Sequence, residues 1–178
     1  MTSEDRHRLL QYARHCVKCA VRGEPTPLLD APSPTLAGYG AVFVTVRCKG
    51  DLRGCMGHLL PEQPVWKSVA EMCEATATRD YRFSALRPEE AFAVELSILS
   101  PMKRIRPADI RVGTDGLYVK SGTYTGLLLP QVAVDWGWNA EDFLQHTCQK
   151  AGLPPDACTD PLLEIYSFTT ERFSEESE

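Results

Sequence analysis

Two stretches of this 178-residue chain follow one plan, and that repetition narrows the folds open to it. Gly50-Asp51-Leu52-Arg53-Gly54 is soon followed by Leu59-Leu60-Pro61 and a helical segment. Gly122-Thr123-Tyr124-Thr125-Gly126 is followed by Leu128-Leu129-Pro130 and another. Each copy comes after a strand-like run. A weak internal duplication of this kind predicts two hairpin-plus-helix units packed together. Strands and helices are mixed without regular strand–helix–strand alternation, so the fold class is α+β: a mixed or antiparallel sheet with flanking helices.

Local patterns place the elements. Leu9, Leu10, Ala13, Cys16, Val17, Ala20 and Val21 recur at helical spacing, which predicts an amphipathic helix over residues 4–22, capped by Thr2 or Ser3 and ended by Gly23. Pro25, Pro27, Pro32 and Pro34 make residues 23–37 an extended connector. Residues 41–47 are β-branched, and Lys49-Gly50-Asp51 turns the chain into Leu52–His58. A helix is expected at 64–78, a loop at Asp80-Tyr81-Arg82-Phe83, one helical turn at Pro88-Glu89-Glu90 and a strand at 93–99. Pro101 and Pro107 bracket a basic linker, Lys103 to Arg106. Asp115-Gly116 reads as a hairpin turn between 110–112 and 117–119. Asn139 caps a helix running to Gly152, and 162–168 forms a last strand. Residues 1–173 then form a single domain of two lobes, and residues 174–178 a disordered acidic tail.

Charge and cysteine usage exclude several functions. Nineteen Lys and Arg against 24 Asp and Glu leave a net charge of −5, which offers phosphate backbones and anionic lipid no general attraction. Neither a nucleic-acid partner nor a membrane is expected, since no apolar run approaches the ~20 residues needed to span a bilayer. The polar, acidic start is unlike a secretion signal, and the expected location is cytoplasmic. Seven cysteines, an odd number, argue against a disulfide framework and for reduced thiols in the core. Cys16 and Cys19 share a helix face, but no second Cys or His pair matches their spacing, and they sit near the helix C-terminus, where the dipole opposes thiolate formation. No metal and no cofactor is expected. Nor do His7, His15, His58 and His146 show ligand spacing.

Leu52-Arg53-Gly54-Cys55-Met56-Gly57-His58 is the stretch richest in chemistry. Gly54 and Gly57 flank a thiol and let another group come close. Arg53, two residues before Cys55, projects to the same side of an extended strand and there favours the nucleophilic thiolate. His58 joins as a base only if Gly57 bends the chain. On composition alone Cys55 reads first as a small buried residue in a glycine-kinked strand. Glu95, in mid-strand, either faces Arg82 or Arg53 to orient a ligand or is paired for structure. Tyr124, in the second glycine-bracketed segment, either faces Cys55 or is a cross-strand aromatic. Trp66, Trp136 and Trp138 read as packing residues, with a partner-docking cluster around Gly137 as the other reading.

Leu52-Arg53-Gly54-Cys55-Met56-Gly57 resembles the signature of the AMMECR-type domain family, which includes the protein A component of the AmmeMemoRadiSam system. Phe43-Val44-Thr45, Arg82-Phe83, Glu95–Pro101, Gly126–Ala133, Gly137-Trp138, Phe143-Leu144 and Lys150–Leu153 fit in family order, so the resemblance spans residues 4–173. Met56 stands where isoleucine is usual, and Cys158 where tryptophan is expected. The resemblance implies two lobes with the signature in a cleft between them, and Memo-type and radical SAM proteins as partners in a shared pathway. The chain itself lacks the three-cysteine spacing of a radical enzyme.

Two functions follow as expectations. One is an enzyme or enzyme component in which Cys55 is the nucleophile and Arg53 its cation, with Glu95 and His58 in supporting roles. Gly54, Gly57, Arg82 and Tyr124 would then bind a small anionic or carbonyl-bearing ligand. The other is a non-catalytic binding module whose signature shapes a groove for a protein or small ligand.

Overall fold

The computed structural model describes residues 1–175. The chain divides into two compact units, residues 1–98 with the described residues from Glu171 onward, and residues 99–170.

The first unit opens with α1 (Ser3–Arg22), whose first turn is closed by the Thr2 side chain accepting the Asp5 amide. Within the expected connector, α2 (Pro34–Ala37) is a single helical turn. Proline is compatible with a first turn, where its missing N–H has no partner to lose, and Ser33 caps the turn by accepting from Leu36 N at 3.3 Å. Strands β1 (Ala41–Cys48) and β2 (Asp51–Gly57) form an antiparallel hairpin. Its turn holds Lys49 at φ 52° and Gly50 at φ 87°, the left-handed pair that a two-residue hairpin requires. Next come α3 (Val65–Thr78), β3 (Ala93–Leu99) and, much later in the chain, β8 (Thr170–Ser174), giving the sheet order β2-β1-β3-β8. Val42, Val44 and Val46 of β1, Leu9 and Val17 of α1 and Val69 and Cys73 of α3 fill one core. The side chains of β1 at odd positions therefore face away from that core.

The second unit holds β4 (Lys103–Arg104), β5 (Gly116–Ser121), β6 (Tyr124–Leu128), α4 (Pro130–Asp135), α5 (Ala140–Lys150) and β7 (Glu164–Phe168), with sheet order β4-β7-β5-β6. Its core is built on Leu117, Val119, Phe143, Leu144, Cys148 and Ile165.

Three sequence expectations change here. The basic linker supplies an edge strand, β4, paired with β7. The hairpin turn lies at Gly122-Thr123, with Gly122 at φ 58°, because Ser121 pairs with Tyr124. At Asp115 the buried carboxylate instead takes the Arg111 amide at 3.0 Å and grips its guanidinium at 2.8 Å, closing a turn that leads into β5. The first two residues of the expected tail are ordered: Ser174 completes β8, and Glu175 accepts from Arg14 and from Val94 N, each at 2.9 Å. The remainder of the expected disordered segment lies outside the described residues.

Both units run from the second hairpin strand to the first, then to the strand that follows the helices, β2-β1-β3 in one and β6-β5-β7 in the other. The likeness extends to a packing detail. A Cβ on Gly54 of β2 would lie 2.8 Å from the Thr76 carbonyl oxygen of α3. One on Gly126 of β6 would lie 2.8 Å from the Thr147 carbonyl oxygen of α5.

Candidate functional site

The signature occupies β2. Thr45 pairs with Cys55 and Val46 with Gly54, but Arg47 then pairs with Leu52, which leaves Arg53 as an extra residue at a bulge. A bulge breaks the two-residue alternation and re-aims side chains. The Arg53 guanidinium accordingly turns to the 84–90 loop. It donates to both Glu90 oxygens at 2.9 and 3.0 Å and to the carbonyls of Ser84 and Ala85 at 2.7 and 3.2 Å. The Glu90 carboxyl is thereby held down at about 2, chiefly by Arg53 and then by the Arg87 amide. Arg53 is thus a clamp between β2 and that loop, not the cation of the thiol.

Gly54 is buried, and the group that approaches it is α3 itself, not a substrate. Gly57 is filled in the same way, since a Cβ there would lie 2.3 Å from the Phe43 ring. Close contact at Gly54 brings the end of α3 against β2, and Asp80, just past the helix, reaches the strand. Its carboxylate accepts the Cys55 amide at 2.9 Å and is only 2% exposed. Arg82 donates to both Asp80 oxygens at 2.9 and 2.7 Å, and its Nη2 also donates to the Cys55 carbonyl at 2.8 Å. The Arg82 guanidinium lowers Asp80 to about 2, against the effect of burial, with help from the amides of Cys55 and Arg82. Arg82 in turn is raised, first by Asp80 and to a smaller degree by attraction to Cys55. Both backbone polar groups of Cys55 are therefore held by one Asp–Arg pair.

The thiol is half-buried, and the Thr45 hydroxyl donates to its Sγ at 3.3 Å. Among the described residues no carboxylate or imidazole is hydrogen-bonded to Sγ. His58 meets Glu71 of α3 at 3.2 Å, on the helix side of the sheet, and its amide donates to Val42, so Gly57 does not bend it toward the thiol. Glu95, 13% exposed, takes Arg172 at 2.6 Å and lies 3.7 Å from Arg47 rather than meeting Arg82 or Arg53. Tyr124 opens β6 in the second unit, exposed and beside Gly152.

Sequence reasoning brought Cys55 and Arg82 forward but passed over Thr45, Asp80 and Glu90. Asp80 and Arg82, two residues apart in a loop after a helix, carried a usable signal. Thr45 became visible only through strand register.

Cys16 points into the core, where burial pushes its thiol up to about 12, while Cys19 is buried beside Glu24 outside that core cluster. Among the described residues, no group of three or more His, Cys, Asp or Glu side chains is placed to hold a metal ion.

The AMMECR1 family model matches residues 10–173. A protein of Methanothermobacter thermautotrophicus is 42% identical over 99% of this chain and 97% of its own length. A Pyrococcus furiosus protein is 44% identical over 94% of this chain and 87% of its own. The crystal structure of an uncharacterized Pyrococcus horikoshii protein superposes with a TM-score of 0.88 at 37% identity, covering 99% of this chain and 94% of that one.

Proposed function

This chain belongs to the AMMECR1 family, and from that premise we propose that Cys55 is a nucleophile for a small carbonyl- or carboxylate-bearing substrate. The observation that carries this reading is the Thr45 hydroxyl donating to a half-buried sulfur on a backbone held from both sides. The anion-anchoring role passes from Arg53 to Arg82. Among the described residues, Arg82 Nη1 makes no hydrogen bond, and it can receive the oxygen of an incoming carbonyl. The thiol releases its proton to water, Sγ bonds to the carbonyl carbon, and the π pair moves to the oxygen facing Arg82.

A cytoplasmic location fits this chemistry. No described helix is long and apolar enough to cross a membrane, and Cys16, Cys73 and Cys148 are buried free thiols. The Memo-type and radical SAM proteins implied by the family resemblance are the proposed neighbours in the pathway. A binding module is the second reading. It is favoured by the engagement of Arg53 and Glu95 in internal ion pairs and by the lack, among the described residues, of a carboxylate or imidazole hydrogen-bonded to Sγ.

Iodoacetamide labelling across pH, read site by site by mass spectrometry, tests the proposal. Rapid native-state alkylation of Cys55 at neutral pH, slowed in Thr45→Val, is expected. Alkylation of Cys55 only after unfolding leaves the binding module.

A further inference from the structure

Away from the signature, α1 carries a basic row. Arg14, Lys18 and Arg22 are spaced four residues apart, so they lie along one face. They border two hollows in the first unit, one of about 100 Å³ facing Arg87 and Phe92, the other a wider one of about 390 Å³ running past Gln11 and His15. Four cations around one small hollow are unexpected in a chain of net charge −5.

The nearby carboxylates are largely committed elsewhere. Glu90 holds Arg53, and Glu175 holds Arg14 and the Val94 amide. The remaining pairs are long: Arg22 stands 3.9 Å from the exposed Glu24, and Arg87 stands 3.5 Å from the exposed Glu89 and 3.6 Å from Glu90 itself. Such pairs hold little energy and give way to a better-matched anion. Lys18 enters no ion pair among the described residues. The smaller hollow also has an apolar wall, formed by Val21, Pro88 and the Phe92 ring, with the Arg14 guanidinium 5.1 Å from that ring.

We infer that this hollow binds a small phosphate monoester, its phosphoryl group held by Lys18, Arg22 and Arg87 and its organic part laid against Phe92 and Val21. Arginine forks match phosphoryl oxygens in pairs, and lysine adds a point charge. The small volume and the acidic surroundings select a small molecule over a polynucleotide. This inference stands independently of the chemistry assigned to Cys55.

Calorimetric titration of the full chain at constant ionic strength, with phenyl phosphate and with inorganic phosphate, is the test. Saturable binding of phenyl phosphate is expected, at least about tenfold tighter than inorganic phosphate, because part of the ring leaves water. Lys18→Gln/Arg22→Gln is expected to weaken it at least about tenfold, since two charge-assisted contacts are lost. Amide shifts on titrating the unmodified chain provide a second readout, with changes expected at Lys18, Val21, Arg22 and Phe92. Absence of saturable binding, equal affinity for the two probes, or shifts confined to other residues would overturn the assignment.

Discussion

The Asp80 carboxylate accepts the backbone N–H of Cys55 at 2.9 Å across 25 residues of chain. The cysteine of the signature is thereby fixed through its backbone, leaving the sulfur to face Thr45. Arg82 completes the hold on the Cys55 carbonyl, so the cation bound to the Cys55 backbone comes from the loop after α3 rather than from β2.

Asp80→Asn removes the charge from this contact and turns an amide group toward one of its donors. A charge-assisted hydrogen bond at a buried acceptor supports a loss of roughly 2 kcal/mol. Urea unfolding measures the loss, and faster hydrogen exchange at the Cys55 amide localises it.

Acid should weaken the fold through two carboxyls. Asp80 and Glu90 are both held at about 2, below ordinary values of 3.8 and 4.5. With folded values depressed, their stabilisation is complete above the unfolded values and is lost as pH falls from about 4.5 toward 2. Asp80 accounts for roughly 2 kcal/mol of this by linkage. Urea midpoints should therefore fall between pH 5.5 and 2.5, and the slope should be shallower in Asp80→Asn.

Glycine substitutions should separate crowding from backbone strain. In Gly54→Ala the new Cβ meets the Thr76 carbonyl oxygen at 2.8 Å and its Cγ2 at 2.9 Å, so helix α3 must move. A cost of about 2–3 kcal/mol is expected. Gly122→Ala meets nothing within 4 Å but retains φ 58°, for a cost of about 1 kcal/mol. Denaturant midpoints of the two variants make the comparison.

The two arginines should differ in what they control. Arg53→Lys loses the fork on Glu90 and the Ser84 and Ala85 carbonyls, lowering thermal stability while leaving the Cys55 alkylation rate within about twofold. Arg82→Lys removes the guanidinium attracted to Cys55 and should slow alkylation several-fold or more. Melting curves and labelling rates on both variants separate the roles.

Much of the fold was legible because it is local. The Thr2 and Asn139 caps, the β-branched run of β1 and the Lys49-Gly50 turn act over a few residues, where spacing and side-chain chemistry suffice. The repeated plan was legible for the same reason, and it appears in the matching strand orders of the two sheets. Cys55 stood out by its neighbours in sequence, but those neighbours were not its partners in space. The bulge at Arg53 sends that side chain to Glu90, 37 residues away, and the contact of Gly54 with Thr76 delivers Asp80 to the Cys55 amide. Which ion pairs form, and which cation neighbours the sulfur, depend on how a helix end packs against a strand. Tertiary packing settles that because these contacts join residues tens of positions apart, beyond the reach of any local pattern.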